Sequence, residues 1–226
     1  MIPLNRVNTK TLWPMAFSVT VPVAFAVILG IPATRAGFLG LSAAHPYLMG
    51  FLKFALLATT GEVLAARFAG GAFAFPKGAL PKAAVWGLIG MMMAGLMPVF
   101  SGGVLAAQQS GVLPLAGNTF VTALLTSAIM NITFGPVMMA GHRISDTMID
   151  RRCGGQKGGL LEAVRAVDWA GFVGFVVQRA IPFFWIPAHT ITFLLPPQWR
   201  VLFAALLGVA LGIFLSIANI QKGRVH

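Results

Sequence analysis

The sequence predicts an all-α protein, a polytopic bundle of about six transmembrane helices with both termini on the inner side and a fifth helix broken by prolines. Three observations carry this. Of the 226 residues, 58% are hydrophobic and only 9% are charged, where a water-soluble domain carries about a quarter charged. The apolar residues fall in continuous runs of about twenty, the length an α-helix needs to cross ~30 Å of hydrocarbon. Lys and Arg collect between alternate runs, as they do in loops retained on the cytoplasmic side. A β-barrel would instead show short segments of alternating hydrophobicity. The whole chain, 1–226, reads as a single membrane domain.

The first run, 13–31, contains Pro14 and Pro22 and is followed by Arg35; it is too long for a cleaved signal peptide and stays as a helix. The second, 47–69, holds Lys53, Glu62 and Arg67. The third, 83–100, is dense in small residues (Gly87, Gly90, Gly95), and its Met91, Met92 and Met93 point to all sides as filler. The fourth, 119–140, carries Thr122, Thr126, Asn131 and Thr133, then Gly135 and Pro136. Its threonines either line a groove or bond back to their own helix, and Pro136 predicts a kink. The fifth, 167–195, is too long for one straight crossing; Pro182 and Pro187 predict a helix to Ala180 and then a broken half. Pro196 and Pro197 make a tight turn into the sixth, 199–220, where Gly208 and Gly212 form a G-x-x-x-G match. That match suits close helix packing inside one molecule, with a homo-oligomer seam as the alternative.

With the amino terminus inside, the inner segments hold Arg6 and Lys10; Arg67, Lys77 and Lys82; Arg143, Arg151, Arg152, Lys157 and Arg165; and Lys222 with Arg224. The outer segments hold only Arg35 and Arg200. This bias accounts for the formal charge of +11 through topology and contact with membrane lipids, so no nucleic-acid partner is implied. With no Arg-rich, Ser-rich transit segment, the expected location is a bacterial inner (plasma) membrane.

Glu62 is the one acid within the long apolar stretches, and a carboxylate in hydrocarbon needs a partner, a cavity or water. Lys53 lies nine residues away and Arg67 five, neither well placed on the same helix face. Arg179, roughly 17 Å into its span from Asp168, is the expected partner. Glu62, Arg179, Lys53, Asn131 and His189 are thus the candidates for a pore or polar interior. His45, His142, His189 and His226 lack metal-ligand spacing, and Cys153 is the only cysteine. His45 and His189 could clasp a haem or quinone, but helix-end histidines bonded to backbone or water are the preferred reading, and no cofactor is expected. No local catalytic constellation points to an enzyme.

The carboxyl-terminal third carries Asp168 and Trp169, then Trp185, His189, Thr192, Phe193, Pro196, Pro197 and Arg200, and finally Phe214, Leu215 and Ser216. This order resembles the terminal signature of the Mpv-seventeen/PMP-twenty-two family of small integral membrane proteins. There a tryptophan-proline element precedes a glutamine, an asparagine-phenylalanine pair, a turn proline, an arginine and a closing tyrosine-leucine-serine. Gly61 and Glu62 resemble the family's glycine-aspartate element. The resemblance covers 48–216; Leu211 and Gly212 depart from its closing tryptophan-asparagine, one residue is missing before Arg200, and the first span is additional. It implies a small channel or solute-permeation protein of undefined substrate, ionic or molecular, in eukaryotes of mitochondrial inner or peroxisomal membranes. It also implies roles for Glu62, Trp185, His189, Phe193, Pro196 and Arg200. The alternatives are a structural or accessory membrane subunit and, behind it, an intramembrane enzyme.

Overall fold

The computed structural model describes the backbone of residues 9–223 and the side chains of residues 11–213. Arg6, Arg224 and His226 lie outside the described residues, as do the side chains of Lys10, Lys222, Phe214, Leu215 and Ser216. Every regular element among the described residues is helical.

Prolines and glycines punctuate the first half. α1 (Thr9–Gly30) gives way at Ile31 to α2 (Pro32–Ala44), whose proline occupies the first turn, where its missing N–H costs nothing. His45 then sits in a non-helical conformation before Pro46 opens α3 (Pro46–Gly70), because the residue before a proline is pushed out of the α region. α2 was not expected; the segment around Arg35 reads as a loop because it is short. Gly71 ends α3 at φ 75, its N–H on the Arg67 carbonyl, the left-handed cap that glycine favours. α4 (Ala79–Gln109) is the longest helix, and Asn118 caps α5 (Thr119–Thr133) by accepting from the Val121 N–H at 3.1 Å.

The kink expected at Pro136 is present: α5 and α6 (Gly135–Cys153) meet at 45°. α6 runs much further than the fourth apolar run, so Arg143, Arg151 and Arg152 stand on a helix rather than in a loop. α7 (Leu160–Ala166) starts where the Glu162 carboxylate accepts from the Gly159 N–H at 2.8 Å, a bond that holds its pKa below the usual carboxylate range.

The fifth span differs from expectation. α8 (Trp169–Gly171) continues into a π-helix (Phe172–Trp185) and then α9 (Ile186–Leu194), together one apolar stretch from Trp169 to Leu194. The prolines do not break it. The register widens around Pro182, and Pro187 falls in the first turn of α9, where a helix tolerates its missing donor. α10 (Pro197–Gly223) completes the chain.

Four helical stretches are long and apolar enough to cross a membrane, and five if the bent α5–α6 pair counts as one; the described apolar part of α10, Pro197–Ile213, is shorter. α3 is the hub, packed most extensively on α4 and α10. A Cβ at Gly50 or Gly90 would run into the other's carbonyl, and one at Gly87 into the Phe51 ring, so these glycines let two backbones touch. Gly208 and Gly212 do something else: a Cβ there would meet nothing within 4 Å, and both line a partly open cavity between the helices. The core, with Leu57, Met97, Met130, Phe193 and Leu202 buried, lies where α3, α4, α5, α9 and α10 meet.

Candidate functional site: two cavities at opposite ends of the bundle

Trp86 on α4 organises one end. Its indole N–H donates to Glu62 Oε1 on α3 at 3.0 Å, and its ring packs on the His142 imidazole of α6 with centroids 4.1 Å apart. One turn along α6, Asp146 Oδ2 lies 3.5 Å from His142 Nε2. One turn before Trp86, Lys82 pairs with Asp150 at 2.8 Å. Three helices are thereby fastened around half-buried Glu62, with an indole as its partner. The expected Glu62–Arg179 pair does not form, and Arg179 is exposed. The wide π register explains this: Phe172, Val176, Ala180 and Ile181 take the buried face, and Arg179 is turned away from it.

Beside this cluster lies a cavity of about 240 Å³. Its polar lining comes from Trp86, Asn131, His142, Arg143, Asp146, Trp185 and His189, set among apolar groups such as Phe54, Met93 and Ile181. His189 Nδ1 is 3.0 Å from Asn131 Nδ2 and 3.1 Å from Asn131 Oδ1, while Asn131 Nδ2 also donates to the Ser127 carbonyl at 2.8 Å. Trp185 stacks on His189 with centroids 5.2 Å apart. Three buried atoms here have no hydrogen-bond partner among the described residues: His142 Nδ1, Asp146 Oδ1 and Trp185 Nε1. Each orphaned group costs roughly 1–3 kcal/mol unless something in the cavity bonds it.

A second cavity of about 620 Å³ is lined by Ser42, Lys53, Met97, Ser101, Gln198 and Arg200 among others. Lys53 is 3% exposed; its Nζ donates to Ser42 Oγ at 2.8 Å and lies 4.9 Å from the Phe38 ring centroid. Arg200 Nε donates to the Leu195 carbonyl at 3.0 Å and Nη2 to the Phe193 carbonyl at 3.1 Å. The guanidinium also lies over the Phe193 ring, so Arg200 closes the free end of α9. A neighbouring recess of about 260 Å³ reaches from Arg200 and Phe193 to Thr122 and Thr126.

The order of lining residues sets the two cavities at opposite ends. On α3, Pro46 and Lys53 face the larger and Phe54 the smaller; on α4, Ile89 and Met93 face the smaller and Met97 to Leu105 the larger. On α10, Arg200 and Val201 precede Gly208 and Gly212 in the same sense. Between them the core of Leu57, Met97, Met130 and Phe193 closes the interior.

Of the residues picked from sequence, Asn131, Trp185 and His189 share the smaller cavity, Lys53 and Arg200 the larger. Glu62 borders the smaller one through Trp86, Phe193 is in the core, and Pro196 is an exposed turn residue whose carbonyl accepts from the Trp199 N–H. His45 stands exposed at the α2–α3 corner and lines neither, so it does not face His189. Thr126 and Thr133 bond back to their own helix; Thr122 does so and also donates to Gln108 Oε1. Trp86, His142, Asp146, Lys82 and Asp150 were not foreseen. His142 and Asp146 are four apart, a readable signal, but it counts only once residues 141–153 are known to be helical. Comparison with known proteins finds no matching family model, no matching curated protein and no matching solved structure.

Proposed function

We propose that this membrane protein is a small solute-permeation protein, with the two cavities as stations on a path that the core interrupts. One observation carries the reading: His142 Nδ1, Asp146 Oδ1 and Trp185 Nε1 are buried, without a partner among the described residues, and gathered on one cavity. A bundle whose polar groups served assembly alone would pair them. A solute offering both a donor and an acceptor would satisfy all three and be held against the apolar wall formed by Phe54, Met93 and Ile181.

Three further readings go with it: six spans with both termini inside, a bacterial plasma membrane, and kinship with the Mpv-seventeen/PMP-twenty-two family. The first is supported by the twelve basic residues on the inner segments, the last by the order of Trp185, His189, Phe193, Pro196 and Arg200 in the sequence.

Purified protein in liposomes loaded with a mixture of small polar dyes and metabolites tests the reading. Wild type should release a defined subset, and Asp146→Asn should slow release about tenfold or more, since one well-placed hydrogen bond to a charged group is worth about that. Release no faster than from empty liposomes sinks it. The rival reading, an accessory subunit, is favoured by Glu62–Trp86 and Lys82–Asp150, contacts that tie helices together. It predicts that Glu62→Gln impairs assembly and leaves any flux per folded molecule unchanged.

A further inference from the structure

We infer that the larger cavity is a binding site for an oxyanion, a phosphate or carboxylate group, held by Lys53 and Arg200. Lys53 is 3% exposed, and its protein partners are the Ser42 hydroxyl and the Phe38 ring. Both are neutral. An ammonium has three protons to donate, and one here goes to Ser42. A charge taken this far out of water is ordinarily paired.

No acidic side chain can pair it. The chain has five, and each stands at the other end of the bundle. Glu62 bonds Trp86, Asp150 pairs with Lys82, and Asp146 adjoins His142. Glu162 lies on α7, which packs on α6, and Asp168 shares a recess with Arg143 and Thr147 of α6. Meanwhile Arg200 lines the same cavity as Lys53 with only two of its donor groups spent, on Leu195 and Phe193. Gln198 adds a neutral donor to the wall, while the Ser101 hydroxyl there already donates to the Pro98 carbonyl at 3.2 Å. Two cations, the Gln198 amide and no anion of the protein's own define a site that an oxyanion completes, by charge-assisted hydrogen bonds of the strong kind. The volume of about 620 Å³ leaves room for more than the charged group itself, so either a lipid headgroup or a soluble anion fits the same chemistry.

The assignment concerns binding at the end remote from the orphaned groups, so it stands or falls by equilibrium measurements, whatever the flux assay returns. Protein purified from a membrane containing phosphatidylglycerol in an uncharged detergent would be analysed for co-purifying phospholipid. Delipidated protein would then be dialysed against radiolabelled inorganic phosphate. Lys53→Met and Arg200→Gln would be run alongside Arg67→Gln, an exposed cation at the other end, with helix content checked by circular dichroism. Retained phosphatidylglycerol that falls at least tenfold in Lys53→Met and Arg200→Gln, but not in Arg67→Gln, supports the site with a headgroup as occupant. Saturable phosphate binding with the same pattern supports it with a soluble anion. Neither ligand bound, or binding equal in wild type and all three variants, overturns it. If Lys53→Met loses its helix content, the Arg200→Gln result decides.

Discussion

Trp86 bonds Glu62 through its indole N–H while its ring covers His142, so one substitution separates two roles. Trp86→Phe keeps an aromatic ring over the imidazole and removes the donor, leaving a half-buried carboxylate with no protein hydrogen bond. The expected cost is about 1–3 kcal/mol, read as a lower midpoint in detergent-induced unfolding. Glu62→Gln retains an acceptor for the indole and removes a charge from low-dielectric surroundings, so it should cost clearly less. If the two are equally damaging, the hydrogen bond is not what holds this corner. At this scale the sequence was only partly legible. Glu62 stands out because a lone acid in an apolar run must be accommodated, whereas its partner could be any donor within reach, and an indole raises no alarm in a hydrophobic segment. Asn131 and His189 were legible one by one, but their hydrogen bond joins positions 58 residues apart.

At the scale of the helices, the α3–α4 seam depends on Gly50 and Gly90 meeting backbone to backbone. Gly90→Val would force these helices apart, and since the neighbouring atoms are main chain, nothing cheap can yield. The expected result is loss of a monodisperse peak in size-exclusion chromatography. Gly208→Val should be far milder for folding, because a Cβ there meets nothing within 4 Å, yet it intrudes on the smaller cavity and should slow permeation. The apolar runs gave the helices' existence readily, since burial in lipid is a matter of composition summed over about twenty residues. Their ends and internal registers were harder. Residues 141–153 form three further turns of α6 although polar and charged side chains dominate them, and hydropathy cannot distinguish an emergent helix from a loop. The π-helix was illegible for a related reason: two prolines in a long apolar run fit a break and a widened register equally well.

For the molecule as a whole, orientation offers a direct test because Cys153 is the only cysteine and is exposed at the end of α6. A membrane-impermeant maleimide should label it in inside-out vesicles and not in right-side-out ones. In a Cys153→Ser background, Val112→Cys, exposed beyond the end of α4, should label from the opposite side. Labelling of both from one side would refute the proposed topology. Among the described residues all five acids and most cations lie at one end of the bundle, which leaves Lys53 and Arg200 at the other without acidic side chains. The sequence by itself determined that this chain is helical and apolar enough for a membrane, because those properties depend on local composition and on backbone hydrogen bonds satisfied within each segment. Only the tertiary structure decided that Trp86 and not Arg179 meets Glu62, and which polar groups share a cavity. Those outcomes depend on helix rotation and register, and a shift of one residue turns a side chain through about 100° with almost no change in the hydropathy that sequence reading measures.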